Sequence, residues 1–168
     1  RYAGRMEVLA GMEWDSWSDV TPEGFDYWIG SVHYQRSPEG VYYSMDWKEE
    51  QLAACRDEMY GGDALAMTEG YFRAVGAVAE KRPTILGHID LITKLNAGNR
   101  FFDEESPRYR AAALEEWRAV GGRVILTADA HRKEHLLFGY DRAAELARAA
   151  GFMESAVLTA AGTELCPL

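Results

Sequence analysis

Ser106-Pro-Arg-Tyr-Arg-Ala-Ala-Ala-Leu-Glu-Glu-Trp-Arg-Ala-Val-Gly-Gly-Arg-Val-Ile-Leu-Thr-Ala-Asp-Ala-His131 reads as one helix-to-strand unit, and that reading decides the fold. Ser106 can cap a helix and Pro107 suits its first turn. Leu114, Trp117 and Val120 recur on one face before Gly121-Gly122 ends it. The apolar run from Arg123 to Leu126 then reads as a strand leading to Asp129 and His131.

Three earlier runs end the same way: Met6-Glu-Val-Leu-Ala-Gly-Met-Glu13, Tyr27-Trp-Ile-Gly-Ser-Val-His33 and Thr84-Ile-Leu-Gly-His88. Three of the four histidines sit at the ends of such runs. If the runs are parallel strands, their C-terminal ends gather at one face, and Glu13, His33, His88, Asp129 and His131 converge from distant parts of the chain. Imidazoles mixed with carboxylates suit zinc, iron or manganese better than the all-oxygen sites of magnesium or calcium.

Helical segments are expected at roughly Trp47 to Met59 and Ala64 to Glu80, split by Gly61-Gly62, and from Asp141 to Ala150. The last buries Ala143, Leu146, Ala147 and Ala150 and stops at Gly151. Strands are expected near 6 to 13, 27 to 33, 84 to 88, 123 to 128 and 156 to 160. Ser37-Pro-Glu-Gly-Val-Tyr-Tyr43 reads as a substrate-facing loop just beyond His33. Strands alternating with helices predict an α/β fold with parallel strands. A closed eight-unit barrel needs roughly 200 residues or more, so 168 residues suggest an open sheet or part of a barrel.

Length and a 48% hydrophobic composition are enough for a single domain spanning 1–168. Apolar runs are short and broken by charge, and no leader sequence opens the chain, which predicts a cytoplasmic protein with no membrane span. Cys55 and Cys166 form no CxxC pair and suggest a reduced compartment. Net charge is −9, with 27 acidic against 18 basic residues and no basic block, which argues against a nucleic-acid surface. The opening Arg1-Tyr-Ala-Gly-Arg5 reads as a helix end, so earlier elements are expected to be missing.

Each candidate ligand also has a structural reading. Asp129 can cap a following helix. His88, in Ile-Leu-Gly-His-Ile-Asp-Leu-Ile, can be a core histidine bonded to Asp90, and both roles can hold together, since metal-bound histidines commonly donate their other ring N–H to a carboxylate. Gly30 and Ser31 permit close approach near His33. His131-Arg-Lys-Glu134-His135 matches H-x-x-E-H, which would need an amphipathic helix to act as a zinc-protease motif. Arg132 and Lys94 are the basic residues nearest these motifs; Arg suits multi-donor contact to phosphate, and Lys94 reads equally as surface charge. Trp14, Trp17, Tyr42 and Tyr43 can line a pocket for a flat ring or fill core contacts.

Gly-Met-Glu-Trp-Asp, Tyr-Trp-Ile-Gly-Ser-Val-His-Tyr, Ile-Leu-Gly-His-Ile-Asp-Leu-Ile-Thr-Lys and Thr-Ala-Asp-Ala-His-Arg follow one another in an order and spacing that resembles the polymerase and histidinol phosphatase (PHP) superfamily, histidinol-phosphatase branch. The tail from Gly139 to Leu168 is similar to that branch too, so the likeness runs over essentially all residues. It implies a distorted barrel of about seven βα units with two or three divalent ions (Zn, Mn or Fe) at the strand C-termini. It implies Glu13, His33, His88, Asp129 and His131 as metal ligands, Asp129, His131 and Arg132 as catalytic residues, and Arg132 with Lys94 at the substrate phosphate. The implied reaction is hydrolysis of L-histidinol phosphate to L-histidinol and phosphate in histidine biosynthesis. The family's opening His-x-His strand is absent before Glu13, so the first βα units are expected to be lacking. A noncatalytic metal-binding module and a PHP-type phosphoesterase or nuclease of other substrate remain alternatives.

Overall fold

Residues 4–120, 123–136, 139–149 and 151–168 are described by the computed structural model. In chain order the elements are β1 (Gly11–Asp15), β2 (Tyr27–Ser31), β3 (Tyr34–Arg36), β4 (Tyr42–Ser44), α1 (Glu49–Tyr60), α2 (Ala64–Ala79), β5 (Ile85–Leu86), α3 (Pro107–Val120), α4 (Tyr140–Ala149), β6 (Glu154–Thr159) and β7 (Gly162–Pro167). The fold is mixed α/β. Among the described residues the strands form one three-stranded and two two-stranded sheets, none closed into a barrel, and no helix is long and apolar enough to cross a membrane.

Two compact units result, Ala10–Gly121 and a second made of Arg1–Leu9 with Gly122–Leu168. In the first, β1, β2 and β5 run parallel in the order β1-β2-β5, with Glu13 opposite Ile29 and Ile29 opposite Ile85. Strand periodicity divides β1: Met12 and Trp14 pack on the core, leaving Glu13 and Asp15 together on the other face. The expected strand from Met6 starts only at Gly11. Asp26 explains this, because its carboxylate takes the Ala10 N–H at 2.7 Å while its own N–H goes to the Ala10 carbonyl at 2.8 Å. That loop closes the ladder, and Met6 and Val8 remain exposed.

Both helices expected between His33 and Thr84 are present within two residues of their expected ends. α1 stops at Gly61, whose φ of 60° is left-handed and whose N–H returns to the Arg56 carbonyl. α2 is capped by Asp63, which accepts from Ala66 N–H at 3.0 Å. It buries Met67, Thr68, Tyr71, Phe72, Val75 and Val78, a stripe of helical period. With Trp14, Val32, Tyr43, Met45, Leu52, Cys55, Ile92, Phe102 and Tyr109 these form the core of this unit. Truncating Leu52 or Met67 to Ala, both fully buried, is expected to cost about 2–5 kcal/mol. Gly30 lets α2 sit on the sheet, since a Cβ there would lie 2.6 Å from Val78 Cγ1.

The loop expected after His33 is instead a hairpin, with β3 and β4 antiparallel and Tyr34 opposite Ser44. α3 forms from Pro107 as the capping signals predict. The side chains of Leu114, Trp117 and Val120, the Gly121-Gly122 stop, and Leu146 and Ala150 of the expected last-helix face lie outside the described residues.

In the second unit α4 buries Ala147, and β6 pairs antiparallel with β7, a strand the sequence pattern did not announce. The strand expected over 123–128 shrinks to one parallel bridge, Val124 with Ser155, closed by Ala156 N–H to the Val124 carbonyl at 2.7 Å. Five residues beyond it Asp129 adopts a φ of 44°, a left-handed conformation that Asp tolerates better than most residues.

Candidate metal centre

Glu13, His33 and His88 meet at the carboxyl end of the parallel sheet. Glu13 comes from the middle of β1, while His33 and His88 each lie two residues past the ends of β2 and β5. Their ligand atoms all fall within 4.8 Å of one another. Glu13 Oε1 is 3.4 Å from His33 Nε2 and 3.3 Å from His88 Nε2, and the two imidazole rings lie 4.9 Å apart at 70°. Ser31 Oγ donates to the same Glu13 oxygen at 2.9 Å. Gly87 makes room for that serine, since a Cβ at 87 would sit 2.4 Å from Ser31 Oγ.

Asp15 orients His33. Its Oδ2 accepts the His33 backbone N–H at 2.9 Å and lies 3.1 Å from ring Nδ1, and Oδ1 accepts the Trp17 N–H at 2.9 Å. Burial alone would raise the Asp15 pKa, but the hydrogen bonds from the His33 ring and from the Trp17 and His33 amides outweigh it and hold the carboxyl below its ordinary value. For His33 the hydrogen bond to Asp15 leads, outweighs burial, and raises its pKa above 6.5, with the charges of Glu13, Asp15 and Asp46 adding to it.

This arrangement fixes a tautomer. With the Nδ1 proton given to Asp15, neutral His33 turns an Nε2 lone pair toward a Glu13 oxygen only 3.4 Å away. Two acceptors face each other there unless a proton or a cation lies between them. The donor set therefore fits a divalent ion: two imidazole nitrogens and a carboxylate oxygen, one histidine backed by a carboxylate in the manner of metal-ligating histidines. His88 does not bond to Asp90 as its structural reading required. Its buried Nδ1 has no hydrogen-bond partner among the described residues, while its backbone carbonyl accepts from Tyr71 OH at 3.3 Å.

The other sequence candidates have their own surroundings. Lys94 Nζ is bound to Asp46 Oδ2 at 2.8 Å. Burial would raise the Asp46 pKa, but Lys94 and a Ser44 hydrogen bond bring it below the ordinary value. Asp129 and His131 belong to the second unit, with side chains 69% and 82% exposed and 3.9 Å apart. Arg132 is exposed beside them, ahead of the 3-10 turn Lys133–His135. That turn is not the amphipathic helix an H-x-x-E-H site needs. Trp14 and Tyr43 are core residues, whereas Trp17 and Tyr42 line a pocket. Sequence reasoning missed Asp15 and Ser31. Asp15 had a readable signal, its position two residues after Glu13 on the same strand face.

Compared with known proteins, the chain matches no family model, and no curated protein matches it.

Proposed function

We propose that the chain is a metal-dependent phosphomonoester hydrolase of the PHP type that converts L-histidinol phosphate to L-histidinol and phosphate. The observation that carries this is the meeting of Glu13, His33 and His88 at the carboxyl ends of three parallel strands. The proposal includes a distorted PHP barrel, one metallohydrolase domain over residues 1–168 and a cytoplasmic location. The ligand roles of Asp129 and His131, and that of Arg132 at the phosphate, rest on the Thr-Ala-Asp-Ala-His-Arg motif. A substrate role for Lys94 would require it to leave Asp46.

Divalent ions, when bound, supply Lewis acidity and a nucleophile from water at neutral pH. The chain's own part is orientation and charge. Asp15 keeps the His33 Nε2 lone pair facing the site, the Ser31 hydroxyl donates to the Glu13 oxygen and holds it in place, and Arg132 would offer planar donors to phosphoryl oxygens. Hydrolysis joins a water oxygen to phosphorus as the ester P–O bond breaks, and the departing alkoxide takes a proton to leave as the alcohol.

The test is phosphate release from L-histidinol phosphate by the full chain with manganese or zinc. Chelator-sensitive turnover, lost in His88→Ala, is the expected result. Turnover indifferent to chelator, or absent with every metal tried, would refute the reading. Cleavage of a labelled single strand in its place would favour the nuclease alternative.

A further inference from the structure

The parallel ladder stops short of the two histidines. β2 and β5 pair through Ile29 with Ile85 and Gly30 with Leu86, and among the described residues the last backbone bond between them runs from the Gly87 N–H to the Gly30 carbonyl at 2.8 Å. Past that point the two segments part: His33 enters the β3–β4 hairpin, and His88 enters the 3-10 turn Leu91–Thr93. Two ligands that must meet at one ion beyond a ladder need a second tie to hold their spacing.

Asp46 and Lys94, 48 positions apart in sequence, supply one. On the His33 side, the His33 carbonyl accepts the Met45 N–H at 2.9 Å, and Asp46 is the next residue. Asp46 Oδ1 accepts from Ser44 Oγ at 3.1 Å, and the buried Ser44 is itself fixed by its N–H to Gln51 Oε1 at 2.8 Å. On the His88 side, the His88 carbonyl accepts the Leu91 N–H at 3.1 Å, and the Lys94 N–H closes the same turn on the Leu91 carbonyl at 3.0 Å. Ile92, fully buried in the core, pins that turn. Lys94 Nζ then reaches Asp46 Oδ2 at 2.8 Å and joins the two sides.

We propose that the Asp46–Lys94 ion pair is a strut that sets the spacing of His33 and His88, which makes Asp46 and Lys94 positioning residues for the metal centre. The proposal rests on the shared centre of Glu13, His33 and His88 and not on the phosphatase reading. The Lys94 side chain is 56% and that of Asp46 23% exposed, so the strut has the strength of a partly exposed ion pair and is screened by salt. Bracing and charge act differently on a bound cation. Losing Lys94 alone leaves the Asp46 carboxylate uncompensated, which by charge would draw a cation in, whereas losing Asp46 alone would repel one. Asp46→Asn with Lys94→Met removes both charges together with the tie, so the double variant reads the bracing.

The test uses the full chain, first without metal. In chelator-treated protein, proton NMR should show cross-relaxation between the His33 and His88 rings, whose centres lie 4.9 Å apart. That cross-peak should weaken in the double variant and persist in Lys94→Arg, which keeps the pair. By calorimetry the double variant should then bind zinc about two- to fivefold more weakly than the wild type, the scale of a partly exposed ion pair, with an unchanged melting temperature. Zinc affinity of the wild type should also fall more steeply with sodium chloride than that of the double variant, because the wild type alone has the pair to screen. A normally melting double variant with the wild-type cross-peak and zinc affinity would overturn the strut. If the wild type takes up no zinc, the metal centre fails while the cross-peak still decides the strut; if it binds zinc but hydrolyses no ester, the phosphatase reading alone fails.

Discussion

Glu13, His33 and His88 on one hand, and Asp129 and His131 on the other, carry the same sequence signal and end in different physical states. The first three emerge from strands that pair with one another and rest on α2, so their ligand atoms come within 4.8 Å. The second pair follows a single bridge at Val124, and a left-handed Asp129 leaves both side chains mostly exposed. A carboxylate or histidine on or after an apolar run becomes a preorganised ligand when the run is paired into a ladder that fixes its exit, as β1 and β5 are with β2 between them. Without a ladder, spacing alone does not fix where the side chain points.

The largest effect should come from the supported group. His88→Ala or Glu13→Ala is expected to weaken zinc binding by more than about 100-fold, beyond the 10–100-fold typical of outer partners, as read by calorimetry. Asp15→Asn should fall within that 10–100-fold range, because the His33 ring would lose its anionic partner while keeping its place in the fold. An Asp15→Asn chain with wild-type affinity would mean that His33 is held by something other than this hydrogen bond. Gly87→Ala should be milder, about 1–3 kcal/mol of stability from overpacking against Ser31, measured by urea denaturation. Smallest should be His131→Ala, within about 0.5 kcal/mol in stability because its side chain is 82% exposed. That variant sharpens the contrast: a drop in turnover with unchanged stability would assign it a chemical role and no structural one.

The same pair predicts opposite pH trends with and without metal. His33 titrates above its ordinary 6.5, so its bond to Asp15 stabilises the metal-free fold below about pH 6.5 and the gain is lost as pH rises through the folded value. Asp15 titrates below its ordinary value, so its share is present above about pH 4 and is lost as pH falls through the folded value. Zinc needs deprotonated ligands and should bind more tightly as pH increases. Urea melts at pH 5.5 and 8 should therefore show the metal-free chain losing this contribution at pH 8 and zinc adding most there.

Much of this is legible in the sequence alone. Helical period and glycine stops located α1 and α2, Ser106 and Pro107 located α3, and apolar runs located β2 and β5, because these signals act within a few residues. The meeting of Glu13, His33 and His88 was readable too, since parallel strands must bring their carboxyl ends together. What was not legible depends on partners far away in sequence. The β3–β4 hairpin is settled by Gln35 and Tyr43 finding the core, the start of β1 by Asp26 bonding to Ala10, and the brevity of the strand at Val124 by its pairing, among the described residues, with Ser155 alone.

The most direct test of the central claim follows the histidine ring signals by NMR while zinc is added to the full chain at pH 7.5. His33 and His88 should shift together and saturate with one ion, and His88→Ala should abolish the His33 shift. Saturating zinc that leaves both rings unmoved, or a His33 shift that survives His88→Ala unchanged, would contradict a shared metal centre at the carboxyl ends of β1, β2 and β5.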